Sequence, residues 1–417
     1  MAPLTQDQVK TIKATVPVLK DHGNDITKNF YATLLKENPD LNNVFNQANQ
    51  VNGHQAGALA GSLYAYATHI DDLGALSPAV EKICHKHASL YIKPEHYDIV
   101  GTYLLRSMKD ILGDALTQDI HDAWATAYWQ LADIMIGREK QLLSDAQGWT
   151  SWRDMRIAKK VPESAEITSF YLSPVDSAGK LPPFLPGQYI SVMTDVPDLK
   201  YMQSRQYSLS DAPNESYYRI SVKKDPGLDM DRKGAKYHPG YISNILHSEK
   251  QVGDTVLVSH PYGDFFLDPK ESDTGPVVLM SAGVGLTPMI SILNTLLQQG
   301  SKRRLSWIHG TRSTAAQAFG QHIKDVVTEH KNVHAVVFNK RPGEKDVEGR
   351  DYNHVGRVSI EKLDKEEDLC LGEKGTTYYI CGPDSFMVDM AKGLKGLGVE
   401  EERVKEELFG TGEIPKN

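Results

Sequence analysis

The sequence predicts a multidomain chain in which an all-α unit, an all-β unit and an α/β unit follow in series. Over 1–143 apolar residues recur three or four apart with no strand-like alternation, the signature of helical faces. Over 152–267 short runs such as "ITSFYLSP", "GQYISVMT", "RQYSLS", "YYRISVKK" and "DTVLVSHPYG" are separated by turns, as in an antiparallel sheet or barrel. Over 268–417 apolar strands ("PVVLM", "RLSWIHG", "VHAVVF", "TTYYICG") alternate with helical stretches, the order of a parallel α/β sheet. Residues 144–151 read as a linker.

Bulk properties narrow the classes. A chain of 417 residues is long enough for two or three cores. A net charge of −8 without a basic block excludes a nucleic-acid footprint. Three widely spaced cysteines, Cys84, Cys370 and Cys381, form no disulfide framework and fit a reducing compartment. The amino terminus lacks the apolar core of a signal peptide and is not of the arginine-rich transit type, so a cytoplasmic location is expected. The tract "GPVVLMSAGVGLTPMISILNTLL" has the length of a membrane span. Gly283, Gly285 and Pro288 divide it into strand, glycine loop and helix, so no stable membrane insertion is expected. There is no internal repeat, and 224–240 is a polar loop punctuated by glycine and proline.

The helical unit breaks at "ENPDLNN", "DDLGALSP", "IKPEH" and "LGDALT". Ser77 before Pro78 reads as a cap followed by proline at the first helical position. The helix that follows has its apolar stripe at Val80, Ile83, Cys84, His87, Leu90 and Tyr91. His85 lies about 200° around the helix from His87, with Glu81 and Lys82 on the polar side, so the two histidines cannot share a site. A zinc set built on Cys84 fails for the same reason. A hydrogen-bonded core histidine is the plain reading of His87. Against it stands a second stripe, Leu59, Leu63, Tyr66 and Ile70, which extended back one turn reaches Gln55. A buried glutamine and Tyr31 facing a histidine require a polar object between them.

The Phe30–Tyr31 pair, Phe45, Gln55 and Leu59 four apart, and "KH…IKPE.Y" make this unit resemble the globin domain of flavohaemoglobins. The resemblance implies haem b, with His87 as the proximal iron ligand. It implies Tyr31 and Gln55 as distal donors, and Phe45 and Leu59 as packing on the haem. Tyr97 and Glu139 would surround the proximal imidazole and raise its donor strength. From the residues alone, the plain reading of Glu139 is a solvated charge paired with Arg138 or Lys140, and Tyr97 could equally be a core tyrosine.

The rest of the chain extends the likeness. "SRQYSLS" fits an Arg-x-Tyr-Ser flavin signature, by which Arg205, Gln206, Tyr207 and Ser208 would hold FAD, Arg205 on its pyrophosphate. Tyr189 would touch the adenine half. Gly240 and Ser243 stand at a helix start, where free N–H groups suit a phosphate. Gly283, Val284, Gly285, Leu286, Thr287 and Pro288 match the reductases' nicotinamide-nucleotide loop, in which close backbone approach needs glycine. Cys381 and Gly382 end a strand at the carboxyl edge of the sheet, near the nicotinamide by resemblance. Glu407 would lie near the flavin and Phe409 would stack on it, although Leu408 and Thr411 replace the cysteine and proline of the bacterial pattern. Arg312, with Thr311 and Ser313, could surround a ribose 2′-phosphate and so favour NADPH; a solvated arginine is the plain reading.

Taken together, the resemblance implies an all-α globin, an antiparallel β-barrel FAD domain and an α/β Rossmann-like nucleotide domain. It implies nitric oxide dioxygenase activity, in which electrons pass from NADPH or NADH through FAD to haem and O2 oxidises NO to nitrate. The partners expected are O2, NO and NAD(P)H, with a haem pocket that accepts lipid or azole-like inhibitors, in a monomer. Two other readings stay open: a haem-based O2 or NO sensor or store, and a flavin reductase of other acceptors.

Overall fold

The structure, a computed structural model, describes residues 3–175, 179–227, 240–268 and 275–410. Most of the 224–240 loop and Thr411 therefore lie outside the described residues.

The helical unit contains α1 (Gln6–Ala14), α2 (Val16–Glu37), α3 (Gln47–Asn52), α4 (His54–Thr68), α5 (Ser77–Ser89), α6 (Pro94–Leu112) and α7 (Gln118–Asp145). Local chemistry sets several of their ends. Thr5 closes a capping box with Gln8, and the Thr117 hydroxyl accepts from Ile120 N–H at the start of α7. At α5 the expectation misses by one residue. Ser77 is already helical, because a 3₁₀ turn over Leu73–Leu76 leads into it and Leu76 takes the cap position. The core holds Ile12, Ile26, Phe30, Leu34, Leu63 and Trp124, with α2 packed on α4 and α6 and α5 packed on α7.

The second unit is a six-stranded antiparallel sheet from β1 (Arg153–Pro162), β2 (Ile167–Pro174), β3 (Tyr189–Val196), β4 (Tyr201–Ser208), β5 (Tyr218–Lys223) and β6 (Thr255–Val258), ordered β4-β3-β6-β1-β2-β5. Its two edges meet where Leu209 bridges Ile220 and Ser210 N–H donates to Arg219 C=O, so the sheet closes as a barrel. Helix α8 (Tyr241–Ser248) packs Ile242, Ile245 and Leu246 into the core with Phe170, Leu172 and Val192.

The third unit is an all-parallel sheet of β7 (Val277–Ala282), β8 (Leu305–Thr311), β9 (Val333–Asn339), β10 (His354–Val355), β11 (Thr377–Cys381) and β12 (Val404–Glu407), ordered β10-β9-β8-β7-β11-β12. Helices α9 (Leu286–Gln298), α10 (Gly320–Glu329) and α11 (Asp384–Gly396) complete it. The winding reverses between β7 and β11, which opens a crevice at their carboxyl ends, where such sheets take ligands. The long apolar tract divides into β7, a glycine turn and α9, and no described helix is long and apolar enough to cross a membrane.

Candidate functional site

On the helical unit, α5, α6 and α7 bring His87, Tyr97 and Glu139 together. His87 Nδ1 lies 2.8 Å from Glu139 Oε1 and 2.9 Å from the Tyr97 hydroxyl. Tyr97 donates to the same carboxylate oxygen at 2.5 Å. An ionised carboxylate only accepts, so the proton sits on Nδ1 and the Nε2 lone pair is left free to bind a metal. Glu139 is 4% exposed, and Arg138 pairs with Glu81 instead, so the solvated-charge alternative fails. Burial, then the Glu139 charge, pushes the Tyr97 phenol far above its ordinary value and keeps it a donor.

The polar pair of the other stripe is also present. Tyr31 is buried edge-on to Phe30 and Phe45, and its hydroxyl is hydrogen-bonded to the Gln55 side chain. Desolvation pushes this phenol up to about 12, so it stays protonated at neutral pH. Leu59 and Phe45 pack against the same core. The helical unit thus offers an imidazole nitrogen backed by a buried carboxylate on one stripe, and a phenol and an amide donor on the other. That donor set fits a haem.

On the barrel, Arg205, Gln206, Tyr207 and Ser208 finish β4, with Tyr189 on β3 opposite Ser208. The Arg205 Nη1 donates to Ser204 C=O at 2.6 Å, whereas its Nη2 is buried with no partner among the described residues. A buried, unpaired guanidinium nitrogen calls for an anion. Gly240 caps α8; a Cβ there would lie 2.6 Å from Ser243 Oγ and 2.9 Å from Asp225 Cβ, so the turn admits only glycine. These groups fit a flavin pyrophosphate.

At the sheet crevice, Gly283, Val284 and Gly285 form the turn from β7, and Leu286, Thr287 and Pro288 open α9. Gly283 has φ +57°. A Cβ on Gly285 would fall 2.2 Å from Cys381 C=O, so packing against β11 by itself requires glycine there. Cys381 lies in register with Ser281 on one side and Glu407 on the other. Gly382 follows, where a Cβ would meet the Phe386 ring at 2.7 Å. Glu407 is buried, and desolvation raises its carboxyl to about 7 against the pull of Lys82 and Lys86. Phe409, by contrast, is 45% exposed. Arg312 ends β8 in an ion pair with Glu166 of the barrel rather than fully solvated.

Sequence reasoning missed the seam between the units. His85, placed on the polar side of α5, is buried because the barrel covers that face: Gly263 N–H donates to its Nδ1 at 3.0 Å, and its Nε2 lies 3.1 Å from Glu81. Lys86, beside His87, is held below its ordinary value by burial and then by Lys82 and Arg205. Ser89 accepts from Ser191 at 2.9 Å, and the buried Gln203 side chain binds Gln47 N–H and Asn42 C=O. Only the adjacency of Lys86 to His87 was visible beforehand.

Comparison with known proteins agrees with this architecture. The chain matches the globin family over residues 28–135 and the oxidoreductase NAD-binding domain over 279–392. The flavohaemoprotein of Bordetella parapertussis is 46% identical over 408 residues, which cover 97% of this chain and 98% of the relative. That of Rhizobium meliloti is 44% identical over 412 residues, covering 98% of each. The crystal structure of a flavohaemoglobin from Malassezia yamatoensis with bound FAD and haem superposes with a TM-score of 0.84 at 29% identity, covering 98% of this chain and 100% of that one. The FAD/NAD-binding domain of a nitric oxide dioxygenase from Vibrio cholerae covers 62% of this chain and 98% of its own, with a TM-score of 0.53 at 34% identity.

Proposed function

This chain belongs to the flavohaemoprotein family, and from that premise we propose that it is an NAD(P)H-dependent nitric oxide dioxygenase. We divide it into a haem domain over 1–143, a linker over 144–151, an FAD domain over 152–267 and a nucleotide domain over 268–417. The cofactors supply hydride transfer from nicotinamide to flavin, single-electron transfer to iron, and oxidation of NO by O2 to nitrate. Each NO takes up one O2 and one electron, so one reduced nucleotide serves two NO.

The chain's own residues bind, orient and tune. His87 would hold the iron through Nε2, while Glu139 and Tyr97 fix the ring and its tautomer. A carboxylate behind the imidazole makes it a stronger donor and favours oxygen chemistry over storage. Tyr31 and Gln55 offer hydrogen bonds on the distal side. Arg205, Gln206, Tyr207, Ser208, Tyr189, Gly240 and Ser243 hold the flavin, with Glu407 and Phe409 at its ring. The loop from Gly283 to Pro288, with Cys381 and Gly382, takes the nucleotide.

The observation that carries this reading is the Glu139–Tyr97–His87 triad, its carboxylate and phenol buried, in a chain that also holds a reductase. The test is reduction by NADPH or NADH, then timed NO consumption with O2 present. Nitrate should form at two per nucleotide oxidised. NO consumption at an undiminished rate in His87→Ala, with haem lost, would sink the proposal.

A further inference from the structure

We propose that the carboxyl ends of β8 and β9 form a dedicated site for the 2′-phosphate of NADPH, built by Arg312, Lys340 and Arg341, and that NADPH is therefore the preferred donor. This rests on reading the third unit as the nucleotide domain.

The crevice between β7 and β11 fixes where a dinucleotide crosses, with Cys381 and Gly382 on one side and the Gly283 turn on the other. Moving outward along the same carboxyl edge, the next strand ends are those of β8 and then β9. A ligand whose nicotinamide end lies at the crevice would place its adenosine ribose over them. There, Arg312, Ser313, Lys340 and Arg341 line one cavity of about 250 Å³. Three of these four residues are cationic and none is acidic. Donors that lack the phosphate are usually held by an acidic residue that accepts from the ribose 2′-hydroxyl. A carboxylate there would repel the phosphate; guanidinium and ammonium groups attract it.

Backbone geometry makes the site more than a chance meeting of surface cations. Lys340 N–H donates to Thr311 C=O at 3.0 Å, tying the two strand ends together. The side chain of Asn339, fully buried, donates from Nδ2 to Thr314 Oγ1 at 2.9 Å and accepts from Arg341 N–H at 3.1 Å. Thr314 in turn donates to Asp346, which also accepts from Gly343 N–H. The loop carrying Arg312 and the turn carrying Lys340 and Arg341 are thus locked at fixed separation before any ligand binds. Neither the Lys340 nor the Arg341 side chain has an ionic partner among the described residues. Arg312 is held by Glu166, but its own side chain is 67% exposed, so the pair is partly solvated and a dianionic phosphate would outcompete it.

The test uses the full-length protein carrying haem and FAD. Calorimetric titration with 2′,5′-ADP and with 5′-AMP should give an affinity ratio of about tenfold or more in favour of 2′,5′-ADP. Inorganic phosphate should bind far more weakly than 2′,5′-ADP; equal competition by phosphate would overturn the assignment to a nucleotide. Anaerobic stopped-flow reduction of the flavin should show the same preference for NADPH over NADH. In Arg312→Ala, and in the double variant Lys340→Ala/Arg341→Ala, NADPH should weaken about tenfold or more, while NADH changes less than about twofold. Equal affinity for both donors in the wild type, or equal losses for both in the variants, would overturn the proposal. The binding arm needs no electron transfer. Absent NO turnover with selective 2′,5′-ADP binding retained would therefore sink the dioxygenase reading and leave this site standing.

Discussion

At the residue scale, a side chain's chemistry here is set by what stands behind it. His87 is oriented by Glu139, and Tyr31 is kept neutral by burial that pushes its phenol up to about 12. A phenol protonated at neutral pH donates, and a donor facing the iron should slow the loss of O2. In Tyr31→Phe, O2 should leave the ferrous protein about tenfold faster, the worth of one hydrogen bond in a sheltered site. Stopped-flow release at the wild-type rate would remove Tyr31 from this role. The same scale shows what the sequence could and could not disclose. Helical phase separated His87 from His85, and the two do lie on different faces. Phase alone could not say that a second domain covers the His85 face, so burial of that histidine went unforeseen. From the residues alone Glu139 reads as a solvated charge for a similar reason. A charge on a long helix is solvated by default, and only tertiary packing puts this one behind an imidazole.

Turns and strand ends govern the element scale. Gly285 shows a motif glycine with a cause the sequence did not disclose: Cys381 C=O would lie 2.2 Å from a Cβ there. Because both contacting groups are backbone, Gly285→Ala must push the α9 turn away from β11. We expect a stability loss of about 1–3 kcal/mol, as for overpacked cores, and a weakened grip on the nucleotide. An unchanged denaturant midpoint would show that the crevice is softer than this geometry implies. Strand strength explains which elements were legible. β7, β8, β9 and β11 are apolar runs buried on both faces and announce themselves. β12 reads "VKEE" and β10 spans only His354–Val355; both are sheet edges whose polar or short sequences carry no strand signal. The edge mattered, since β12 delivers Glu407 in register with Cys381.

For the whole molecule, acid should act through buried neutral histidines. His309 donates to or accepts from Ser281 Oγ at 2.9 Å inside the parallel sheet, and desolvation lowers its pKa from 6.5 to about 4. A depressed histidine protonates first in the unfolded chain. It therefore favours folding fully above pH 6.5, and that contribution fades as pH falls from about 6.5 to about 4. The span corresponds to roughly 3 kcal/mol. His260, also lowered to about 4 by burial, has the same sign, so His309→Asn should reduce the acid slope of the denaturation midpoint without abolishing it. A slope identical to wild type would assign acid sensitivity elsewhere.

The same scale holds the question of how three domains act as one reductase. The globin meets the barrel through directional bonds: Gly263 N–H to His85, Ser191 to Ser89, His260 N–H to Tyr91, Met202 N–H to Asn43, and Gln203 to Gln47 and Asn42. Three of these land on α5 or on Tyr91 just beyond it, the segment that carries His87, so the seam positions that imidazole relative to the barrel. His85→Leu keeps the bulk but leaves Gly263 N–H without its acceptor, whereas His85→Gln restores an acceptor. His85 is not among the side chains that would hold the nucleotide or the flavin, so flavin reduction by NAD(P)H should stay within about twofold in both variants. Electron arrival at the haem should slow about tenfold or more in His85→Leu and recover in His85→Gln, since small misplacements of reacting groups cost large factors in rate. Equal haem reduction rates in all three proteins would mean that the seam does not set the geometry of electron transfer, and that the remaining bonds suffice.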